Sequence, residues 1–326
     1  MIELSIIIPV YNVENYIRPC LESIFQQGLD EDTVEVIIVN DGTTDHSMEV
    51  IADIIQQHDN ITVINQENQG LSVVRNNGIA KARGEYILMP DSDDLLVENS
   101  LKPLLEMALE SQADLIVADY LTMTDEEIIS TQSIPQKKLI IKEKSGEQLF
   151  QEDLSPYACF VWRTIYRKEF LLHNRLRFYP GIKFQDIPFT HECYLKANKC
   201  LRVSWLLNIY RRWIGASTYS FNVKKARDFC IAIAKTWELN KLELSPAIRV
   251  KLQNDLWTHF SEMTRLTCRD IHKDSERISV MDCLKKEAPT LSFQNGVKQK
   301  AITFLYRYMP HTFIRLRYLY YIFIED

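Results

Sequence analysis

The first ~120 residues alternate continuous apolar runs with stretches whose apolar residues recur at helical spacing, a pattern that builds βαβ units and a parallel sheet. Residues 4–8 form an apolar run closed by Pro9, and residues 34–39, 61–64, 86–89 and 115–118 read as further strands. Between them, Tyr16, Ile17, Cys20, Leu21, Ile24 and Phe25 share one helical face. Residues 47–55, 72–82 and 101–109 are predicted as the next helices. The expectation is an α/β fold, with a mostly parallel sheet flanked by helices.

Beyond this region the pattern changes. Residues 122–155 are polar, with Lys137, Lys138 and Lys142, and read as an insertion or hairpin. Residues 157–221 are aromatic-rich, with strand-like segments at 157–162 and 206–210. From residue 222 the pattern is helical. Ser245-Pro246 is an N-cap and first-turn pair, and Ile248, Leu252, Leu256, Phe260 and Met263 make one apolar stripe. The predicted division is an α/β catalytic domain over 1–220 and a mainly helical region over 221–326.

With 326 residues, 46% of them hydrophobic and 25% charged, the chain has the composition of a globular protein with a real core. The N-terminus lacks the basic and apolar regions of a secretory signal, and no apolar run reaches the ~18 residues of a membrane span. The seven cysteines include no CxxC pair, which fits reduced thiols and a cytoplasmic location. The net charge of −6 is uneven: residues 222–326 carry 18 Lys+Arg against 12 Asp+Glu. The basic residues form no stripe with a nucleic-acid motif, so no nucleic-acid partner is expected.

The chemistry-bearing signal is residues 86–94, YILMPDSDD, an apolar strand that ends in Asp91, Asp93 and Asp94. Crowded acids repel one another unless a hard divalent cation such as Mn²⁺ or Mg²⁺ shares them. A bare Asp-x-Asp is common, and Asp30-Glu31-Asp32 is a second example in a polar turn. The alternative is a solvated turn capping the next helix. Nine glycines with no GxGxxG and no GxxxxGK[ST] leave any nucleotide to be held by side chains and a metal. Three other predicted strand exits are rich in polar side chains. Tyr11 in PVYN offers a ring for a planar base or a residue starting the next helix. Asp41 in NDGTTD offers an acceptor for a base N–H or belongs to an Asx-type turn. Arg75 in NQGLSVVRN offers a guanidinium for a base carbonyl or phosphate, or a surface ion pair.

These segments carry a resemblance. SIIIPVYNVENYIRPCLESIFQQ, VIIVNDGTTDHS, NQGLSVVRNNGIAKARGEYILMPDSDD and FQDIPFTHECYL resemble, in order, the inverting glycosyltransferases of family 2, which have the GT-A fold. The resemblance covers about the first 215 residues. It implies a nucleotide-diphospho-sugar donor, usually a UDP-sugar, held by Pro9, Tyr11, Asp41, Arg75 and Asp91, with Asp93 on the metal. It implies Asp186 as catalytic base. The acid that precedes that base in the family is Gln185 here, which removes a like charge from beside Asp186. Asp94 matches a frequent extra acid. Arg211, Arg212 and Trp213 are candidates for a residue over the diphosphate, and Trp162 matches a position near the acceptor or is a core aromatic.

The implied activity is metal-dependent inverting transfer to a hydroxyl of a glycan or lipid-linked acceptor in surface polysaccharide synthesis. The alternatives are a catalytically silent nucleotide-sugar-binding or scaffold subunit and a nucleotidyltransferase. The latter usually carries a glycine-rich basic loop after its first strand, where PVYN stands here. Between Ala288 and Ile324 there is no acid, but five Lys/Arg and nine Phe/Tyr. That mixture suits peripheral contact with the inner face of an anionic membrane, or a helix pair docked on the protein.

Overall fold

The computed structural model describes residues 1–131, 133–212 and 221–325. Nine strands occur among them: β1 (Leu4–Val10), β2 (Val34–Asn40), β3 (Ile61–Asn65), β4 (Tyr86–Leu88), β5 (Leu95–Leu96), β6 (Leu115–Thr124), β7 (Ile141–Lys144), β8 (Thr164–Arg167) and β9 (Cys200–Arg212). Thirteen α-helices occur among the same residues. The first eight are α1 (Ile17–Phe25), α2 (Ala52–Gln57), α3 (Leu71–Lys81), α4 (Leu101–Ser111), α5 (Asp125–Ser130), α6 (Gly146–Glu152), α7 (Lys168–His173) and α8 (Asp186–Lys196). The last five are α9 (Val223–Glu238), α10 (Pro246–Asp270), α11 (Asp274–Glu287), α12 (Val297–Tyr308) and α13 (Pro310–Tyr320).

The strands form one sheet in the order β3-β2-β1-β4-β8-β6-β9-β5, with β7 also on β9. The half built from the N-terminal βαβ units, β3-β2-β1-β4, is wholly parallel. Its central strands read as unbroken apolar runs because both faces are covered: Leu4, Ile6, Ile7 and Ile8 are all fully buried. Beyond β4 the sheet is mixed. β8 runs antiparallel to both β4 and β6, while β6 and β9 are parallel. The α/β class and flanking helices are as expected, and antiparallel strands enter from the C-terminal side of the pattern. α3 lies directly on β1, where a Cβ at Gly78 would collide with the side chain of Ile7.

Two local expectations change. Residues 47–51 are turns rather than helix, and α2 begins at Ala52. Ser47 is diverted: its backbone N–H and hydroxyl both donate to Asp45, and its oxygen accepts from the Val13 N–H. Such side-chain bonds compete with helix formation. Residues 157–162 are not a strand. Ala158 N–H closes a turn on the Ser155 carbonyl, and a 3₁₀ turn at Val161–Arg163 leads into β8.

The chain separates into two compact units. The first comprises Met1–Leu149, Phe160–Pro180 and Cys193–Ala216, and contains the sheet. The second comprises Phe150–Cys159, Gly181–Glu192 and Ser217–Asp326. Its helix α10 is capped by Ser245 with Pro246 in the first turn, and buries the whole predicted stripe from Ile248 to Met263. Phe260 meets Phe293 at 5.1 Å and Phe313 at 5.7 Å, so the acid-free C-terminal stretch contributes to this unit's core.

Candidate active site

Within the first unit, β4, β1 and β2 are adjacent and parallel, so their carboxyl ends open on the same edge, where open α/β sheets bind ligands. Pro9 is half-buried in β1, opposite Val39 of β2. Tyr11 follows at the strand exit and is 46% exposed, leaving its ring accessible for stacking. Asn12 turns the chain with a positive φ of 54° and laces the β1 exit to the β2 exit. Its side-chain oxygen accepts from Thr44 N–H at 3.1 Å, and its own N–H donates to Thr43 Oγ1 at 2.8 Å.

Asp41, at the end of β2, is 3% exposed. Its Oδ1 accepts from Gln66 Nε2 at 2.7 Å and from the Gln69 N–H at 2.8 Å, and its Oδ2 accepts from the Gly70 N–H at 2.9 Å. Gly70 is the N-cap of α3, with φ of 85°. Asp41 therefore holds the start of the helix that carries Arg75. A carboxylate has about four acceptor sites. With three used, one site on Oδ2 is left for a ligand N–H.

Arg75 is only 2% exposed. Its Nη2 meets Asp91 Oδ1 at 2.5 Å, and its guanidinium lies 5.3 Å from the centre of the Phe178 ring. The ion pair is thus made by a buried arginine to a partly exposed acid, and it fixes the first acid of the cluster. The Asp91 carbonyl accepts from the Asp94 N–H at 3.2 Å, which curls residues 91–94 into a turn. Asp93 is half-buried, and Asp94 is 2% exposed.

Of the three candidates at the end of β9, Arg211 is tied into the acid cluster. Its backbone N–H donates to Asp94 Oδ1 at 2.9 Å, its Nε donates to the Asp93 carbonyl at 2.9 Å, and its Nη1 reaches Asp125 at 2.5 Å. Arg212 is exposed, and Trp213 lies outside the described residues. Asp125, at the head of α5, is a member of this network that sequence reasoning missed. It sits in the polar stretch after β6, with no local motif to mark a partner 86 positions away.

Burial, then the neighbouring Asp91 and Asp93 carboxylates, push the Asp94 carboxyl well above its usual range. Its Oδ2 is buried and has no hydrogen-bond partner. An orphaned carboxylate oxygen among three acids is what a hard divalent cation would satisfy, so the residues present fit such an ion.

Trp162 is a core residue. It is 2% exposed, stacks on Phe160 at 4.7 Å and meets Tyr120 edge-on at 5.1 Å. Asp186, in the second unit, is the first residue of α8 and is half-buried. The chain leading to it is held by Phe184, with φ of 58°, stacked on Phe229 at 4.4 Å. The Lys183 N–H donates to Asp228 at 3.2 Å.

The model of glycosyl transferase family 2 matches residues 5–171. The chain belongs to glycosyltransferase family 2. It is 30% identical over 285 residues to glycosyltransferase GlyG of Streptococcus pneumoniae, covering 83% of this chain and 93% of that protein. It is 35% identical over 209 residues to the uncharacterized glycosyltransferase EpsJ of Bacillus subtilis, covering 64% of this chain and 60% of EpsJ. Among solved structures, S. aureus TarS 1–349 in complex with UDP-GlcNAc superposes with a TM-score of 0.75 at 21% identity, covering 98% of this chain and 92% of that one. This likeness extends the shared fold through the C-terminal helices, beyond the family match. Asp186 lies outside the matched residues 5–171.

Proposed function

We propose that this family 2 chain transfers a sugar from a UDP-sugar to a hydroxyl of a glycan or lipid-linked acceptor in surface polysaccharide synthesis, with inversion at the anomeric carbon. The observation that carries the reading is the convergence of Tyr11, Asp41, Asp91, Asp93 and Asp94 on one edge of the parallel sheet. Tyr11 stacks on the base, and the free acceptor site of Asp41 takes a base N–H. Arg75 orients Asp91 toward the ribose. UDP-GlcNAc in TarS supports a uridine nucleotide as the donor to test first.

Asp93, with Asp94 beside it, would hold a divalent cation, Mn²⁺ or Mg²⁺, whose charge would offset the charge developing on the leaving diphosphate. The acceptor hydroxyl attacks the anomeric carbon as the bond to the diphosphate breaks, and the nucleoside diphosphate departs. Asp186 accepts the hydroxyl proton as general base. One displacement inverts the centre, so no protein nucleophile is required.

No helix among the described residues is long and apolar enough to cross a membrane. A lipid-linked acceptor is compatible with peripheral contact through α12, α13 and the following turn. There Phe304, Tyr308, Leu316, Leu319, Tyr320 and Phe323 are exposed beside Arg307 and Arg317.

The test is product analysis with UDP-sugars, Mn²⁺ and a soluble acceptor. Release of UDP with an inverted glycoside is expected. Asp186→Asn should cut transfer by roughly 10²–10⁴-fold while UDP affinity stays near wild type. Pyrophosphate release would identify a nucleotidyltransferase, and UDP-sugar binding with no turnover would identify a silent binding subunit.

A further inference from the structure

Helices α9 and α11 of the second unit meet across two cysteines. Arg227 Nη2 on α9 donates to Ser279 Oγ on α11 at 3.1 Å. One turn further along α9, the Cys230 Sγ lies 3.5 Å from the Val280 carbonyl. Cys283 stands one turn beyond Val280 on the same face of α11. A helical side chain leans toward the helix N-terminus and covers the turn before its own Cα. The Cys283 sulfur is thereby carried to the turn that Cys230 already touches, and the two sulfurs hydrogen-bond to each other. Cys230 has one proton to give. It goes to the Val280 carbonyl while Cys283 is a thiol, and to the Cys283 sulfur once that is a thiolate.

The two thiols have unequal surroundings. Six of the seven cysteines are buried, Cys230 completely, whereas Cys283 is half-buried and open to a small solute. The hydrogen bond from Cys230 outweighs burial and Glu287 and, with help from Arg227 and Lys286, holds the Cys283 pKa down to about 7 from an ordinary 9. Burial, and then Cys283, push the Cys230 thiol up, so it keeps its proton. An accessible thiolate against a buried thiol is the arrangement of an attacking and a resolving cysteine.

We propose that Cys283 is a site of oxidation by peroxides and that Cys230 resolves it, closing a disulfide between α9 and α11. In the first step the Cys283 thiolate attacks one peroxide oxygen. An S–O bond forms, the O–O bond breaks, and hydroxide leaves and takes a proton to become water. In the second step Cys230 sulfur attacks Cys283 sulfur. The S–S bond forms, the S–O bond breaks, and the hydroxyl leaves as water with the Cys230 proton. Two thiols lose two electrons in all, and one peroxide becomes two waters. α9 also carries Asp228 and Phe229, which hold the chain before Asp186, so the crosslink ties to α11 the helix that positions that segment.

The test is hydrogen peroxide treatment of the whole reduced chain, followed by dimedone to trap any sulfenic acid that persists and by peptide mass spectrometry. The wild type should give a Cys230–Cys283 crosslinked peptide within one chain, reopened by dithiothreitol, with no adduct on Cys283. Cys230→Ala should stop at the first step and carry the dimedone adduct on Cys283. Cys283→Ser should lose thiols at least roughly tenfold more slowly than the wild type, because the remaining thiols are buried. Should Cys230→Ala not fold, the wild-type crosslink and Cys283→Ser, altered at a half-buried position, decide. A wild-type adduct on Cys283 without the crosslink, a crosslink through another cysteine or between two chains, or equal thiol loss in wild type and Cys283→Ser overturns the proposal.

Discussion

Replacing Asp41 by Ala should weaken the protein more than a surface ligand residue would, because the carboxylate holds the start of α3. Three donors lose their acceptor: the Gln66 side chain and the Gln69 and Gly70 N–H groups. A hydrogen bond to a charged group contributes about 1.5–3 kcal/mol when buried. Gln69 is exposed and Gln66 and Gly70 half-buried, so water recovers part of that. The expected loss is about 2–4 kcal/mol, or roughly 1 M in urea midpoint at a slope of about 3 kcal/mol/M. Asp41→Asn should fall between the two proteins. Its oxygen can keep Gln66 and Gln69, but its amide would face the Gly70 N–H, donor against donor. Urea denaturation, with hydrogen exchange at residues 69–73, measures both effects. Exchange should quicken there first, because those amides depend on the cap. If Asp41→Ala lies within about 0.5 kcal/mol of wild type while UDP affinity collapses, the helix-holding argument is wrong and Asp41 is purely a ligand group.

Asp93→Ala should remove Mn²⁺-dependent UDP binding in calorimetry while the far-ultraviolet circular dichroism is retained; unchanged metal dependence would move the assignment to another acid. Asp45 gives a pH prediction. Burial alone would raise its pKa, but hydrogen bonds from Ser47, Thr43 and Glu14 hold it down to about 2 from a usual 3.8. A lowered carboxyl pKa stabilises the fold above 3.8, and that contribution disappears as pH falls toward 2. The stability gap between wild type and Asp45→Asn should therefore be about 1–2 kcal/mol at neutral pH, allowing for partial exposure, and close between pH 4 and 2. A gap that widens in acid refutes the assignment. Sedimentation with anionic vesicles should occur at low salt and weaken, without vanishing, at high salt. Replacing Arg307 and Arg317 by Gln should reduce it, and indifference of the wild type to such vesicles removes the membrane contact.

What was legible in the sequence follows from period and from short range. β1 and β2 announce themselves because strands buried on both faces are apolar at every position, and α10 because its stripe repeats at helical spacing. The acid cluster is visible because its members adjoin. The antiparallel strands were harder to read. β7, IKEK, is mostly exposed and carries no apolar alternation, and it exists because β9 offers a partner. Trp162 illustrates an ambiguity that sequence cannot settle, since an aromatic serves a core or an acceptor pocket equally well. In the structure it packs against Phe160 and Tyr210 in the buried interior.

The long-range contacts also change what the acid cluster means. Asp91, Asp93, Asp94 and Asp125 surround two guanidiniums, Arg75 and Arg211, each with a side chain 9% exposed or less. With all four acids ionised, the group carries about two excess negative charges, and the buried Asp94 is the member that water screens least. Protonation of Asp94, favoured by burial and by Asp91 and Asp93, relieves one of these when no cation is near. A divalent cation would relieve both and release the Asp94 proton. The two arginines thus let the acids stand close before any ion arrives. They fix Asp91 and the 93–94 backbone in place, so that cation binding would require little rearrangement of the loop.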